Sequence, residues 1–222
     1  MTQPRLLLAS ASPRRRELLG LLGLPYEVTV TYVRETPATD ETPGQLVVRL
    51  SRAKAREAGL DGYRDALVIA CDTVVALGDD ILGKPATAAE ARAMLRRLCG
   101  RSHLVYSAVT ALVPGGDGVT ELARSGLTMR AYTEAQISAY VASGDPMDKA
   151  GAYAIQHEGF DPVDRIEGCY ASVMGLPLCH LARGLRHLGV EPRADVPAAC
   201  QDHTGRRCTA YQEIKSRGRR SA

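Results

Sequence analysis

The run Ala66-Leu67-Val68-Ile69-Ala70-Cys71-Asp72-Thr73-Val74-Val75-Ala76-Leu77 is apolar at every position except Asp72 and Thr73. A strand with one face in water alternates apolar and polar residues, so near-continuous apolarity marks a strand covered on both faces. That places it centrally in a sheet with helices above and below. Asp72 is out of keeping with its neighbours. A bare buried carboxylate is too costly to keep, so this one is satisfied structurally, metal-bound or functional. At the end of a central strand it is a candidate ligand for a divalent cation or a candidate general base.

Outward from this run, strands and helices alternate. Leu6-Leu7-Leu8-Ala9 is a short buried strand. Ser12 follows as N-cap with Pro13 at the first helical position, and that helix carries Leu18, Leu19 and Leu22 and stops at Gly23. Tyr26, Val28 and Val30 alternate as a second strand, and residues 31–43 are a polar loop. Thr42-Pro43-Gly44-Gln45 is a capping box opening a helix with Leu46, Leu50 and Ala53 on one face. After the central run, Gly78-Asp79-Asp80 turns the chain toward Ile81-Leu82, and Thr87-x-x-Glu90 caps a helix ending at Gly100. Residues 103–113 and 119–132 read as a hairpin around Gly115-Gly116-Asp117-Gly118. Thr133-x-x-Gln136 caps a further helix bearing Ile137, Tyr140 and Val141. Residues 144–177 read as functional loop with short strands, and residues 178–188 as a closing helix. From Glu191 the periodicity is lost, which predicts a domain of residues 1–189 and a disordered basic tail of residues 190–222. Truncation at that boundary is then expected to leave stability unchanged.

The 222 residues are 45% hydrophobic and 24% charged, ordinary for a soluble globular domain with a sizeable core. With Phe 1, Trp 0 and Tyr 9, that core is aliphatic. The net charge of +3 resides in the tail, which holds 7 basic and 4 acidic residues, while the body balances at 21 of each. No global basic field calls for nucleic acid. No apolar run reaches the roughly 18 residues of a membrane helix, and Met1-Thr2-Gln3-Pro4-Arg5-Leu6 lacks a signal-peptide layout, so a cytoplasmic protein is expected. The six cysteines contain no C-x-x-C pair and read as buried free thiols. Cys200, His203 and Cys208 supply three candidate zinc ligands, but without the paired knuckles of a structural site.

Three constellations carry chemistry. Ser10-Ala11-Ser12-Pro13-Arg14-Arg15-Arg16 lies at a strand-to-helix junction, where free N–H groups, hydroxyls and guanidiniums suit a phosphate. Its plainer reading is a capped surface helix with solvated arginines. Glu35, Lys54 and Lys84 each read singly as solvated surface charges; together with Asp72 they form a metal-plus-cation set suited to phosphate anhydrides. Asp148-Lys149-Ala150-Gly151-Ala152-Tyr153-Ala154-Ile155-Gln156 is a Gly-bearing turn that either carries Gln156 into a pocket or is an ordinary loop. A Gln amide offers the donor and acceptor that a nucleobase edge requires.

Along roughly residues 5–188 the sequence resembles the Maf family of nucleoside triphosphate pyrophosphatases, a likeness carried by four segments. They are residues 8–19 (LASASPRRRELL), 71–75 (CDTVV), 83–103 from Gly83-Lys84-Pro85 through His103, and 148–178 from Asp148-Lys149-Ala150-Gly151 to Gly175-Leu176-Pro177-Leu178. The resemblance implies a mixed α/β fold shared with the inosine-triphosphate pyrophosphatases: an elongated central sheet flanked by helices in two lobes with a cleft. It implies cleavage between the α and β phosphates with a divalent cation, Mg²⁺, Mn²⁺ or Co²⁺, and a homodimer as an assembly. Carried over by position, Asp72 is the proton acceptor, and Lys84 and Glu35 complete the catalytic set. Asp72 and Glu35 are the metal ligands, and Ser10, Arg14, Arg15 and Lys54 bind phosphate. Arg14, Thr73 and Gln156 match the dTTP/UTP branch rather than the 7-methyl-GTP branch. A non-catalytic regulator of septation is the competing role attached to the family. The sequence departs from the family pattern at Arg34, where an acidic residue is common, at Ala154, and at Ala171-Ser172. Glu158, two residues past Gln156, offers a carboxylate if the loop slips.

Overall fold

The structure, a computed structural model, describes residues 4–60, 63 and 65–217, the last three by backbone alone. Residues 1–3 of the N-terminal reading and 218–222 of the tail lie outside the described residues. The strands are β1 (Arg5–Ala9), β2 (Tyr26–Thr29), β3 (Ala66–Leu77), β4 (Asp80–Leu82), β5 (Ser102–Leu112), β6 (Gly118–Met129) and β7 (Val163–Glu167). The helices are α1 (Pro13–Gly20), α2 (Pro43–Leu60), α3 (Ala88–Leu98), α4 (Glu134–Ala142), α5 (Tyr170–Met174), α6 (Leu178–His187), α7 (Val196–Thr204) and α8 (Ala210–Arg217). Two 3₁₀ turns, Asp145–Asp148 and Ala150–Ala152, lie between α4 and β7.

One mixed sheet runs β2-β1-β3-β5-β6-β7, with β4 added on β3. β1 pairs in parallel with both β2 and β3, and the remaining ladders are antiparallel. As its composition requires, β3 is central and covered on both faces. Successive side chains alternate across a sheet. Leu67, Ile69, Cys71 and Val75 therefore enter the large core with Leu18, Leu19, Leu95 and Leu181, while Ala66, Val68, Ala70 and Val74 pack toward α2. Truncating a Leu in such a layer to Ala costs about 2–5 kcal/mol.

The other edge of β3 contains a gap. β1 stops at the Ala9–Ala70 pair, and β4 begins at Val75–Leu82, while β5 pairs with β3 continuously on the opposite side. Cys71, Asp72, Thr73 and Val74 thus have no strand beside them on the β1 side. A crevice of this kind, at the carboxyl end of a parallel strand, is where α/β sheets bind ligands.

The capping predictions hold at Thr42, where Gln45 returns the bond, and at Thr133, a full capping box with Gln136. Thr87 accepts from the Glu90 N–H, and Glu90 in turn accepts from Ala86. Ser12 occupies the N-cap of α1, but its hydroxyl makes no capping bond; Ser10 Oγ accepts the Ser12 N–H instead, at 3.2 Å. On α2, Ala53 is only half-buried, and the buried stripe is Leu46, Val47, Leu50, Ser51, Lys54, Ala55 and Ala58.

The described part of the tail is folded, against the expectation of disorder. Asp195 caps α7 by accepting from Ala198, and Gly205 ends it in the left-handed conformation with φ 63°. Val196 and Ile214 are buried, Arg193 N donates to Leu22 O, and Arg183 donates to Ile214 O at 2.6 Å. Two short helices are thereby pinned to α6 and to the end of α1.

Candidate active site

The gap beside β3 opens into a cavity of about 350 Å³. β1 and α1 supply Ser10, Arg14 and Arg15 to its wall; the loop after β2 supplies Glu35, α2 supplies Lys54, β3 supplies Thr73, and the turn after β4 supplies Lys84. Gln156 closes it from the loop after the second 3₁₀ turn. Every predicted site residue but one lines this cavity. The exception, Asp72, lies directly behind Lys54.

Adjacent in sequence, Asp72 and Thr73 point to opposite faces of β3, and each is fixed by a different layer. On the α2 face, Lys54 Nζ donates to Asp72 Oδ1 and to Glu35 Oε1, both at 2.6 Å. Lys54 and Asp72 are 8% and 5% exposed, so this cation is buried, where its sequence position alone read as surface. Burial pushes the Asp72 carboxyl above the ordinary carboxylate range, outweighing the charges of Lys54 and Arg15. Burial works against Lys54 too, but Asp72 and Glu35 together hold its ammonium above its ordinary value. Glu35 is half-exposed; burial opposes its charge, yet the Lys54 bond and the charges of Lys54, Lys84 and Arg15 leave it below the usual range.

On the other face, Arg15 Nε donates to Gly175 O at 2.9 Å, and its Nη2 lies 3.4 Å from Thr73 Oγ1. Thr73 Oγ1 also meets Ser107 Oγ at 2.8 Å, and Ser107 Oγ donates to Ser172 O at 2.6 Å. Cys71 Sγ donates to the same Gly175 oxygen at 2.9 Å. The guanidinium of Arg15 is thus locked in place beside the hydroxyl of Thr73. Lys84 is positioned by Gly151, whose N–H donates to Gly83 O at 3.0 Å. Gly151 has φ +70°, and a Cβ there would meet Val75 at 3.1 Å, so only glycine lets the turn close against β3.

Gln156 Oε1 is buried and has no hydrogen-bond partner among the described residues. An unmet buried acceptor costs about 1–3 kcal/mol, which a ligand N–H in the cavity would recover. Glu158 is exposed and lines an adjoining groove, with Arg14, Gln156, His203 and Arg206, but not the cavity itself. Arg34 is exposed and bonds to Thr36 Oγ1, outside the cavity wall.

A family model described as Maf-like protein matches residues 5–188. The chain belongs to the Maf-like family. The dTTP/UTP pyrophosphatase of Deinococcus radiodurans is 46% identical over 190 residues, 85% of this chain and 95% of that protein. That of Syntrophus aciditrophicus is 45% identical over 191 residues, 85% and 92% of the two chains. Among solved structures, the Staphylococcus aureus Ham1 protein aligns with 56% of this chain and 71% of its own at 16% identity and TM-score 0.40. The fold assignment rests on the sheet described above rather than on that distant likeness.

Within this Maf-like chain, sequence reasoning missed one cavity cation. Lys149 is 8% exposed, lines the cavity, and is held by Asp145 at 3.0 Å and Asp148 at 2.6 Å. Its signal in the sequence is a lysine flanked by Asp148 in the Gly-bearing turn Asp148-Lys149-Ala150-Gly151. The tail lies beyond the family match, yet it borders the site: His203, Thr204 and Arg206 line the groove that shares Arg14 and Gln156 with the cavity.

Proposed function

We propose that the chain hydrolyses nucleoside triphosphates, dTTP and UTP foremost, to the nucleoside monophosphate and pyrophosphate. The observation that carries this is the Glu35–Lys54–Asp72 hydrogen-bonded chain set beside the phosphate-binding junction of α1. The relatives that bear the name dTTP/UTP pyrophosphatase support the same reaction, at 42–46% identity.

In this reading Ser10, Arg14 and Arg15 hold the triphosphate at the N-terminus of α1, where N–H groups and guanidiniums meet anionic oxygens. A water attacks the α-phosphorus, its O–P bond forming as the bond to the bridging oxygen breaks. Asp72, behind Lys54 rather than on the cavity wall, is the final acceptor of that water's proton, reached through Lys54 Nζ, with which it shares a hydrogen bond. A carboxyl raised by burial is a stronger base than a solvated one, which suits the role. Lys54 holds Asp72 in place, and Lys84 offsets the charge that develops on the leaving pyrophosphate.

Asp72 and Glu35 have the oxygen chemistry of divalent-cation ligands, but their oxygens converge on the Lys54 ammonium at 2.6 Å each, so an ion would be held by both only with Lys54 Nζ moved aside. Among the described residues no group of three or more His, Cys, Asp or Glu is placed to hold a metal. An ion held there would draw its other ligands from water and phosphate oxygens, as Mg²⁺ does when it uses one or two carboxylates. Such an ion would supply neutralisation of phosphate charge.

A neutral pyrimidine presents an acceptor beside an N–H donor, and the Gln156 amide is the complement of that edge without a buried charge. Thr73 and Arg14 border the same pocket. A product assay with dTTP, UTP and 7-methyl-GTP tests the proposal. Pyrophosphate and monophosphate are the expected first products; a nucleoside diphosphate would exclude it, and no turnover would favour the regulator reading.

A further inference from the structure

Gln156 is set in place by a residue that does not line the cavity. Residues 154–157 form a four-residue turn, closed by the His157 N–H donating to Ala154 O at 3.2 Å, with Gln156 in its third position. Both ends of that turn rest on Tyr140, from α4. The Ala154 N–H donates to Tyr140 Oη at 2.9 Å, and the His157 ring meets the Tyr140 ring edge-on, with centroids 4.7 Å apart. Phe160 stacks on the same tyrosine at 4.2 Å, and its N–H donates to His157 Nδ1 at 2.9 Å, which fixes the imidazole.

Tyr140 is itself held. It is buried, on a helix whose first turn is locked by the Thr133 capping box. Its hydroxyl donates to Asp145 Oδ2 at 2.6 Å, so its one proton is committed and its oxygen is left to accept from Ala154. Burial, then the bond to Asp145, raises the phenol above its ordinary value, and the donor stays protonated. Asp145 in turn pairs with the cavity lysine, Lys149, at 3.0 Å. The ring and the hydroxyl thus do separable things. A phenylalanine would supply the packing against His157 and Phe160, but only the oxygen ties α4 to the backbone of the turn.

We propose that Tyr140 is a positioning residue for base recognition: its hydroxyl, by holding the Ala154 N–H, sets the turn that presents Gln156 to the cavity. The inference rests on the base-reading role given to Gln156 above. Gln156 Oε1 accepts from no described residue, so its aim comes from the backbone that carries it rather than from a neighbouring donor. Without the hydroxyl, the Ala154 N–H is left buried and unmet, which is costly. The turn then shifts toward another acceptor and carries Gln156, two residues on, out of register with the base.

Tyr140→Phe keeps the ring and removes both hydroxyl bonds. Affinities of the full chain for dTMP and 7-methyl-GMP, measured by calorimetry, report base recognition without turnover. The expected result is a fall of roughly five- to tenfold in the preference between the two, and no further fall when Tyr140→Phe is added to Gln156→Ala. With dTTP as substrate, KM should rise while kcat changes far less. An unchanged preference in Tyr140→Phe, or the same fall in the Gln156→Ala background, would overturn the proposal and leave Tyr140 a purely structural residue, whatever the melting temperature does. Should Tyr140→Phe fail to fold, Asp145→Asn deprives the hydroxyl of its charged acceptor, and the same dependence on Gln156 is expected. A natural sequence that binds dTMP but does not hydrolyse dTTP would overturn the proposed reaction alone, and these affinities would still decide on Tyr140. No preference between the two monophosphates in the natural sequence would overturn both.

Discussion

Lys54, on α2, reaches Asp72, on β3, with 2.6 Å between Nζ and Oδ1, and both side chains are almost wholly buried. The pair joins the helix to the sheet at the point where β1 has ended. Removing one partner of a buried pair leaves the other charge uncompensated, at about 3–5 kcal/mol. Lys54→Met is therefore expected to lower stability by about 3 kcal/mol in urea unfolding. Adding Asp72→Asn to that variant is expected to restore part of the loss, since the orphaned charge is gone. Strict additivity of the two substitutions would show that the pair is not coupled.

Asp72→Asn alone preserves shape and removes both charge and basicity. The expected outcome is a fall in kcat of about 10²-fold or more, with an unchanged circular dichroism spectrum. Near-normal turnover would leave Asp72 as the structural partner of Lys54 and nothing more.

His103 gives a pH dependence of stability independent of the reaction. Its Nε2 lies 2.7 Å from the Tyr153 hydroxyl, its Nδ1 is buried without a hydrogen-bond partner among the described residues, and burial lowers its pKa to about 4. The unfolded chain binds a proton at this residue below about pH 6.5, while the folded chain does not until about pH 4. The stabilisation is full above pH 6.5 and is lost as pH falls toward 4, with an upper bound of about 3 kcal/mol. Unfolding free energies from pH 7 to 4 should fall less steeply for His103→Gln than for the natural sequence. Parallel slopes would contradict the assignment.

The tail yields the opposite of what its sequence led us to expect. Val196 and Ile214 are buried, and fully burying an aliphatic side chain is worth about 1.5–3 kcal/mol. Truncation after Gly189 is thus expected to destabilise the chain by about 2–4 kcal/mol, since part of the loss is recovered as tail entropy. An unchanged melting temperature would return the tail to the disordered class.

Why the body was legible and the tail was not follows from period and length. β3 announces itself by twelve nearly apolar residues, and α2, α3 and α4 by capping residues at Thr42, Thr87 and Thr133. α7 is nine residues long with only Val196 buried, too few to set up a helical period. Its ends were nonetheless marked, by Asp195 before Pro197 and by Gly205. At the site, Asp72 stood out because it is charged inside an apolar run. Lys54 did not, because a lysine on an amphipathic helix is ordinarily solvated, and only the gap at the end of β1 reveals that it turns inward. That Cys169, Cys179, Cys200 and Cys208 line one cavity was invisible for a related reason: they span 39 residues and share that space only because the tail folds back.

On the proposed function, base selectivity is expected to turn on Gln156, whose Oε1 has no hydrogen-bond partner among the described residues. With a pyrimidine bound, Oε1 accepts from the base N3–H while the amide N–H donates to its carbonyl, so both halves of the side chain are satisfied. A base that leaves one of them unmet loses about 1–3 kcal/mol, or roughly five- to 150-fold in relative kcat/KM. Gln156→Glu exchanges the donor for a second acceptor and adds a negative charge, which repels a neutral carbonyl edge and attracts a cationic methylated base. The expected outcome is that dTTP and UTP outrun 7-methyl-GTP in the natural sequence, and that Gln156→Glu narrows or reverses that order. The exposed Glu158 gives the control, since Glu158→Gln should leave the order unchanged. If Glu158→Gln alters selectivity and Gln156→Glu does not, then the groove bordered by Arg206, and not the cavity beside β3, receives the base.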